Sequence, residues 1–483
     1  MIRYSAVGFV LGAFLLALAA AMLIPLAWGL ARSAGDLSPL ALGAAATAAA
    51  GALLLVACAR PEREMNQREG LLLACAAWLG VSFFGALPFY LSPHFASFTD
   101  AFFEAASGFT TTGATILADV EVLSEPVQFW RCFSHWLGGM GIVLLGVAVL
   151  PLVGHGGMQL YRAEFSGAKS EKLKPRVAET AAALWRIYAA LTVAQFLALR
   201  LAGMGAFDAL CHTFSTLGTG GFSTRTASVA AFASPPIEGI IILFMLLSGI
   251  SFIQHYRFWV ERRPRGVLAD YEIRFYLLLA AAAAAVIAVV LASGSGYSPG
   301  AAALSASFQV VSIMTTTGFV TDNFERWPPL PQLLLLALMF AGGCTGSTSG
   351  GLKVSRLVLL ARVVDREFKR MVERRGVFAV RLGGQVIAEE TIQSLLNLVY
   401  LAFVVNFAAC LTLAALGVDV LTAITAVAAS MFNVGPGLGA VGPLDHYGHL
   451  PWLAKWVLSA CMIAGRLEFY TVLVILTPAF WRK

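Results

Sequence analysis

The stretch "VVSIMTTTGFVTDNF", Val310 to Phe324, sets a run of three threonines followed by a glycine and an aromatic residue between two long apolar runs. Backbone of this kind is tolerated at membrane depth only where protein buries it or water bathes it. Similar knots recur along the chain: "SGFTTTGAT" (107–115), "STLGTGGFST" (215–224) and "SMFNVGPGLG" (430–439). Their glycines Gly113, Gly221, Gly318 and Gly435 are spaced by roughly 100 residues, an internal repeat of span, loop and span. One Thr/Gly knot alone reads as a turn between helices. Four in register read as one device built four times.

A second register mark supports the alignment. Asp100 stands as far before Gly113 as Asp208 does before Gly221, and Ser305 and Thr422 hold the matching positions. All four are N-cap residue types, so a short re-entrant helix of about ten residues is expected to start at each. Ser107, Ser215 and Ser312 also correspond, with Ala429 in the fourth repeat.

The rest of the chain says where such knots must lie. Of 483 residues, 59% are hydrophobic and 12% charged, with mean hydropathy +0.79. Soluble domains carry roughly 25% charged residues, so this is an all-α polytopic membrane protein. Apolar runs near 8–30, 38–58, 71–91, 133–153, 181–202, 237–256, 274–293, 332–352, 392–416 and 453–477 give about ten spans. The first is too long for a signal-peptide core and reads as a retained helix. Basic segments such as 60–70, 161–179, 255–266 and 353–381 alternate with segments poor in Lys and Arg that carry the knots. The positive-inside rule places the basic segments and both termini in the cytoplasm. The net charge of +6 is explained by those loops, without nucleic acid. The seven cysteines lack CxxC spacing and read as small buried hydrophobes. The histidines form no HExxH or other ligand spacing, and no enzyme motif or bound cofactor is expected.

Four re-entrant loops on one side could surround one axis, their carbonyls replacing the hydration shell of a permeating cation. Glycine permits the positive φ this needs. Each short helix would point its partly negative C-terminus at the cation. Hydroxyls of Thr111, Thr112, Thr316 and Thr317 would add oxygens that hard cations accept. An inverted-repeat transporter is the rival architecture. It would alternate the knots between the two sides, whereas all four fall on the side poor in Lys and Arg.

Further on, "FAGGCTGSTSGGLKVSR" (340–356) fills the eighth run with small residues. Each glycine costs about 1 kcal/mol in a helix interior, so the helix should open there. Close small-residue helix packing is the alternative. A phosphate-binding loop is not: Leu352 stands where the motif needs lysine. Arg466, in the last span, is an intramembrane charge of the kind that faces a cavity or a partner. Glu468 is on a different helical face. Lys353 could snorkel to the cytoplasmic face.

The array closed by "TTTGAT", "GTGGFST", "TTTGFVT" and "NVGPGLG" resembles the Trk/Ktr/HKT superfamily of cation transporters, closest to its bacterial TrkH/TrkG branch. The resemblance implies four M1–pore helix–M2 repeats around a pseudo-fourfold pore, preceded by two extra transmembrane helices. The boundaries would be 1–69 for the N-terminal unit, then 70–178, 179–270, 271–388 and 389–483 for the repeats. It implies a filter of Thr111, Thr112 and Gly113; Thr219, Gly220 and Gly221; Thr316, Thr317 and Gly318; and Asn433, Val434 and Gly435. Potassium would sit at its backbone carbonyls, in the bacterial inner membrane. It implies a gating loop containing Gly342, Gly343, Gly346, Gly350, Gly351 and Lys353, with Arg466 as a barrier beneath the filter. A homodimer and a cytosolic TrkA-like nucleotide-binding regulator are the partners it implies. Coupling to protons or sodium, in place of channel-like flow, stays open.

Overall fold

The computed structural model describes residues 2–58, 65–148 and 177–482. Residues 60–64 and 161–176 of the basic segments, and 149–153 of the run 133–153, lie outside them. The chain opens on an antiparallel helix pair, Tyr4–Arg32 and Ser38–Ala57. The pair packs through Gly12 and Gly51, where a Cβ on either would press on the other's carbonyl oxygen.

Four units of long helix, short helix and second helix follow. The long helices are Gln67–Gly85, Val177–Leu201, Tyr271–Gly294 and Glu389–Ala415. The short ones are Phe98–Phe109, Ala206–Leu217, Pro299–Met314 and Val420–Met431. They are sheathed by the others, and most of their residues are buried. The outer surface is apolar: Tyr400, Phe403, Phe407 and Leu411 of Glu389–Ala415 are all exposed. Polar residues such as Thr110, Thr111 and Thr112 are wholly buried at the centre. A polar centre inside an apolar sheath is the arrangement a bilayer requires.

The short helices begin earlier than their sequence suggests. The caps are Ser97, Gly205, Ser298 and Asp419, and Asp100, Asp208, Ser305 and Thr422 lie inside the helices. A carboxylate or hydroxyl in the first turns also complements the helix end, which is why composition alone misplaced the start.

The second helices depart from plain spans. Glu125–Ala148 is continuous. Pro235–Ser248 and Phe252–Trp259 meet at 99°, and Trp452–Arg466 and Tyr470–Leu476 at 116°. The run 332–352 is no span at all: its helix, Pro329–Phe340, has 12 residues and stops at Ala341. Residues 342–353 are non-helical, and a new helix runs Val354–Val372. Six helices are long and apolar enough to cross a membrane, or eight with the bent pairs, among the described residues. A two-stranded ribbon, Arg381–Leu382 with Gln385–Val386, precedes the last repeat.

Candidate functional site

All four short helices end in the same way. The N–H groups of Thr112, Gly220, Thr317 and Val434 each reach back 2.8 Å to the carbonyls of Ser107, Ser215, Ser312 and Ala429. The residue before each is left-handed: Thr111 (φ 54°), Thr219 (55°), Thr316 (56°) and Asn433 (55°). This is a Schellman closure with Thr or Asn where glycine is usual. It uses only backbone at the serine register, so Ala429 serves as well as Ser107. A β-branched residue at positive φ is strained and persists only where its surroundings enforce it.

Two residues on, the backbone returns to positive φ at Gly113 (83°), Gly221 (78°), Gly318 (79°) and Gly435 (98°). No side chain fits at these four positions. A Cβ on Gly113 would strike the carbonyl oxygen of Gly220, one on Gly221 that of Thr317, and one on Gly318 that of Val434. A Cβ on Gly435 would strike that of Thr112. Repeat one thus leans on two, two on three, three on four, and four on one: the ring closes. The carbonyls of Thr112, Gly220, Thr317 and Val434 accept no protein hydrogen bond among the described residues. All four glycines line one cavity, with Phe222, Pro436 and Tyr447. Free carbonyls around one axis suit a dehydrated cation.

The threonine hydroxyls contribute less than their sequence suggests. Those of Thr112 and Thr317 are 2.8 Å from the hydroxyls of Thr110 and Thr315. Thr112 also accepts from Asn433 Nδ2 at 2.9 Å. The Thr316 hydroxyl accepts from Gly350, and that of Thr219 donates to Gly218 O. Only the Thr111 hydroxyl, of these, has no partner among the described residues.

Sequence reasoning missed a layer of residues that holds the ring from behind. Four positions after Asp100, Asp208 and Ser305 stand Glu104, His212 and Gln309. Glu104 accepts from Ile116 N at 3.0 Å, and His212 Nε2 is 2.9 Å from Ser223 Oγ. Gln309 Oε1, oriented by its hydrogen bonds, accepts from Thr321 N at 2.9 Å. In the fourth repeat Thr425 Oγ1 accepts from Leu438 N at 3.0 Å. Each repeat therefore ties its outgoing strand to its own short helix. Glu104 also pairs with Arg131 at 2.6 Å, both buried, and Arg131 donates to Ser223 O at 3.0 Å and lies over the Phe222 ring. The detectable signal was a carboxylate inside an apolar helix. Farther out, Thr226 Oγ1 donates to Asp119 at 2.7 Å. That bond and the Glu121 N–H hold the Asp119 carboxyl below the usual range.

Beneath the ring lies the glycine-rich loop. Gly346 (φ 78°) and Gly351 (φ 67°) let it fold back on itself, and Gly342 N donates to Leu352 O at 2.7 Å. Small-residue helix packing is thereby replaced by an ordered loop. Gly350 N donates to Thr316 Oγ1 at 2.7 Å, and Thr348 Oγ1 to Leu217 O at 2.9 Å. The bend in repeat two frees backbone groups that the loop satisfies: Cys344 N donates to Gly249 O, and Phe252 N to Gly346 O. Buried Glu272, also missed, accepts from Thr345 N at 2.7 Å and Ser355 N at 3.2 Å, stapling both ends. Lys353 Nζ donates to Ser349 O within the loop, so it turns inward instead of snorkelling.

Arg466 closes the helix Trp452–Arg466 at the 116° bend. Glu468 pairs with Arg356 at 2.9 Å. Arg466 is 3% exposed, and none of its guanidinium nitrogens finds a hydrogen-bond partner among the described residues. Asn433 Nδ2 donates to Met462 O, and Gly465 abuts Met431 O, so Arg466 follows directly beneath the fourth helix end. Gly350 abuts the same end at Phe432 O and Asn433.

Residues 38–483 match the model of the family described as "TrkH: Cation transport protein". The chain belongs to the TrkH family. Among TrkH relatives, the Trk system potassium uptake protein TrkH of Salmonella typhimurium is 44% identical over 428 residues, 88% of each chain. That of Halomonas elongata is 42% identical over 476 residues, 98% of each chain. TrkG of Escherichia coli is 34% identical over 87% of each. The crystal structure of the potassium transporter TrkH from Vibrio parahaemolyticus matches with TM-score 0.91 and 37% identity, covering all of both chains. The chain is thus a multi-pass membrane protein with the TrkH architecture of four repeats about one pseudo-fourfold axis.

Proposed function

We propose that this protein takes up potassium across the bacterial inner membrane through the ring formed by its four knots. The observation that carries the proposal is the closed succession of glycines and carbonyls from Gly113 on Gly220 round to Gly435 on Thr112. Each repeat offers a carbonyl free of hydrogen bonds from the described residues, at Thr112, Gly220, Thr317 and Val434. Such oxygens can replace the water around potassium. The relatives named potassium uptake proteins support the choice of ion.

In this scheme the loop Gly342–Gly343–Gly346–Gly350–Gly351 with Lys353 is the gate, anchored to Thr316 under the ring. Arg466 is an electrostatic barrier below it: a buried cation with no hydrogen-bond partner among the described residues repels a potassium ion descending the axis. A nucleotide-binding partner of TrkA type acts on the basic helix Val354–Val372, which continues the gate into the cytoplasm. Both termini face the cytoplasm, and two copies associate as a homodimer.

Flux of potassium, rubidium, sodium and lithium into vesicles holding the purified protein, with and without a proton gradient, tests the proposal. Potassium and rubidium should enter well ahead of sodium and lithium. Equal potassium and sodium flux would sink the selective ring.

A further inference from the structure

The four quarters of the ring differ at one atom. The carbonyl oxygens of Gly113, Gly221 and Gly318 accept no hydrogen bond among the described residues. The Gly435 oxygen accepts one from the Tyr447 hydroxyl at 2.8 Å. Tyr447 is 2% exposed and fixed on several sides. Its ring lies 5.5 Å, centroid to centroid, from Phe103 of the first short helix, and its N–H donates to Thr115 O at 2.8 Å. The phenol is a placed donor with little freedom to leave.

The backbone carries the same asymmetry. Gly435 has φ 98°, against 83°, 78° and 79° at the other three. A Cβ on Gly435 would stand 2.6 Å from its neighbouring carbonyl oxygen, the widest of the four approaches. The fourth glycine is therefore set back where the phenol holds it. Counted along the sequence, the residues twelve past the other three glycines are Glu125, Ala233 and Leu330, of which Glu125 and Leu330 already belong to the second helices. None carries a hydroxyl.

We propose that Tyr447 is a positioning residue that sets cation affinity and selectivity through the Gly435 carbonyl. Its hydroxyl competes with the cation for that oxygen, leaving the glycine tier with three uncommitted carbonyls and one shared. The number and field strength of coordinating carbonyls govern how a site ranks potassium against sodium. The tier is consequently weaker and less discriminating than a symmetric one. The inference rests on the reading of the ring as the potassium path.

Tyr447→Phe removes the hydroxyl and keeps the ring that packs on Phe103. In vesicles, the half-saturating potassium concentration should fall about threefold and the potassium-to-sodium flux ratio should rise about threefold, the size of a modest hydrogen-bond difference. In detergent, the rise in melting temperature on adding potassium should be larger for the variant than for the parent. A variant equal to the parent in both assays, or one with weaker potassium affinity, overturns the role of Tyr447. Parent vesicles that fail to take up potassium overturn the reading of the ring itself. Parent vesicles that transport normally beside an unchanged variant overturn only the inference.

Discussion

The ring and the floor beneath it are built on opposite plans. The ring uses one backbone pattern four times, although the residues differ: Thr-Thr-Gly, Thr-Gly-Gly, Thr-Thr-Gly and Asn-Val-Gly. The floor has no repeat. It takes the glycine-rich loop from repeat three, the bend at Gly249 from repeat two and Arg466 from repeat four. The four left-handed residues show where the plans part. All share φ near 55°, yet their side chains go different ways: Thr316 to the loop at Gly350, Asn433 to Met462 and Thr112, and Thr219 to its own helix end. A ring locked by neighbour-on-neighbour backbone contact is hard to widen in one quarter alone. The floor is held by individual hydrogen bonds that can be removed one at a time, and one of them, Gly350 N to Thr316 Oγ1, reaches the ring itself.

The largest test of that contrast strikes the ring. Gly221→Ser should abolish selective potassium uptake, because its Cβ overlaps the Thr317 carbonyl and the quarter must open. Gly318→Ser should relax selectivity similarly, since it abuts Val434 in the same way. Rubidium uptake in the presence of competing sodium reads both. Normal discrimination in either variant would break the picture of a single ring.

Next comes the brace behind it. Glu104→Ala leaves the buried Arg131 without its carboxylate and frees Ile116 N, a loss of about 3–5 kcal/mol. The purified variant should melt well below the parent; an unchanged melting temperature would show that the ring stands without the brace.

In the floor the effects should be smaller and of opposite sign. Arg466→Ala should raise unstimulated potassium flux about tenfold, equivalent to removing roughly 1.4 kcal/mol of barrier. Unchanged flux and gating would sink its role as a barrier. Thr316→Val removes the acceptor of the Gly350 N–H and should raise basal flux a few-fold, as expected for one hydrogen bond of about 1 kcal/mol. Selectivity should hold in that variant, because the left-handed backbone at Thr316 is retained; lost selectivity would join floor and ring into one unit.

Much of this was legible in particular residues. Gly113, Gly221, Gly318 and Gly435 announced the ring through spacing, and a glycine cluster at 342–351 announced a broken helix. The helix starts did not: Asp100 and Thr422 resemble caps but are one turn inside, because the first turn favours the same residue types. Glu104, His212 and Gln309 were equally in register but passed unseen. Their chemistry differs, and what they share is only the strand they hold. Glu272 lies 73 residues from Thr345, and nothing local links the two.

Membrane class, fourfold repetition and the positions where a Cβ is forbidden can all be read along the chain, because hydropathy, period and glycine content act over short stretches of it. That each glycine meets the next repeat's carbonyl, that the broken helix hangs on Glu272 and Gly249, and that Tyr447 claims one oxygen of the ring emerge only once the chain is folded. Those contacts join most of their partners across repeats. Close packing about one axis selects them, and no local preference encodes it.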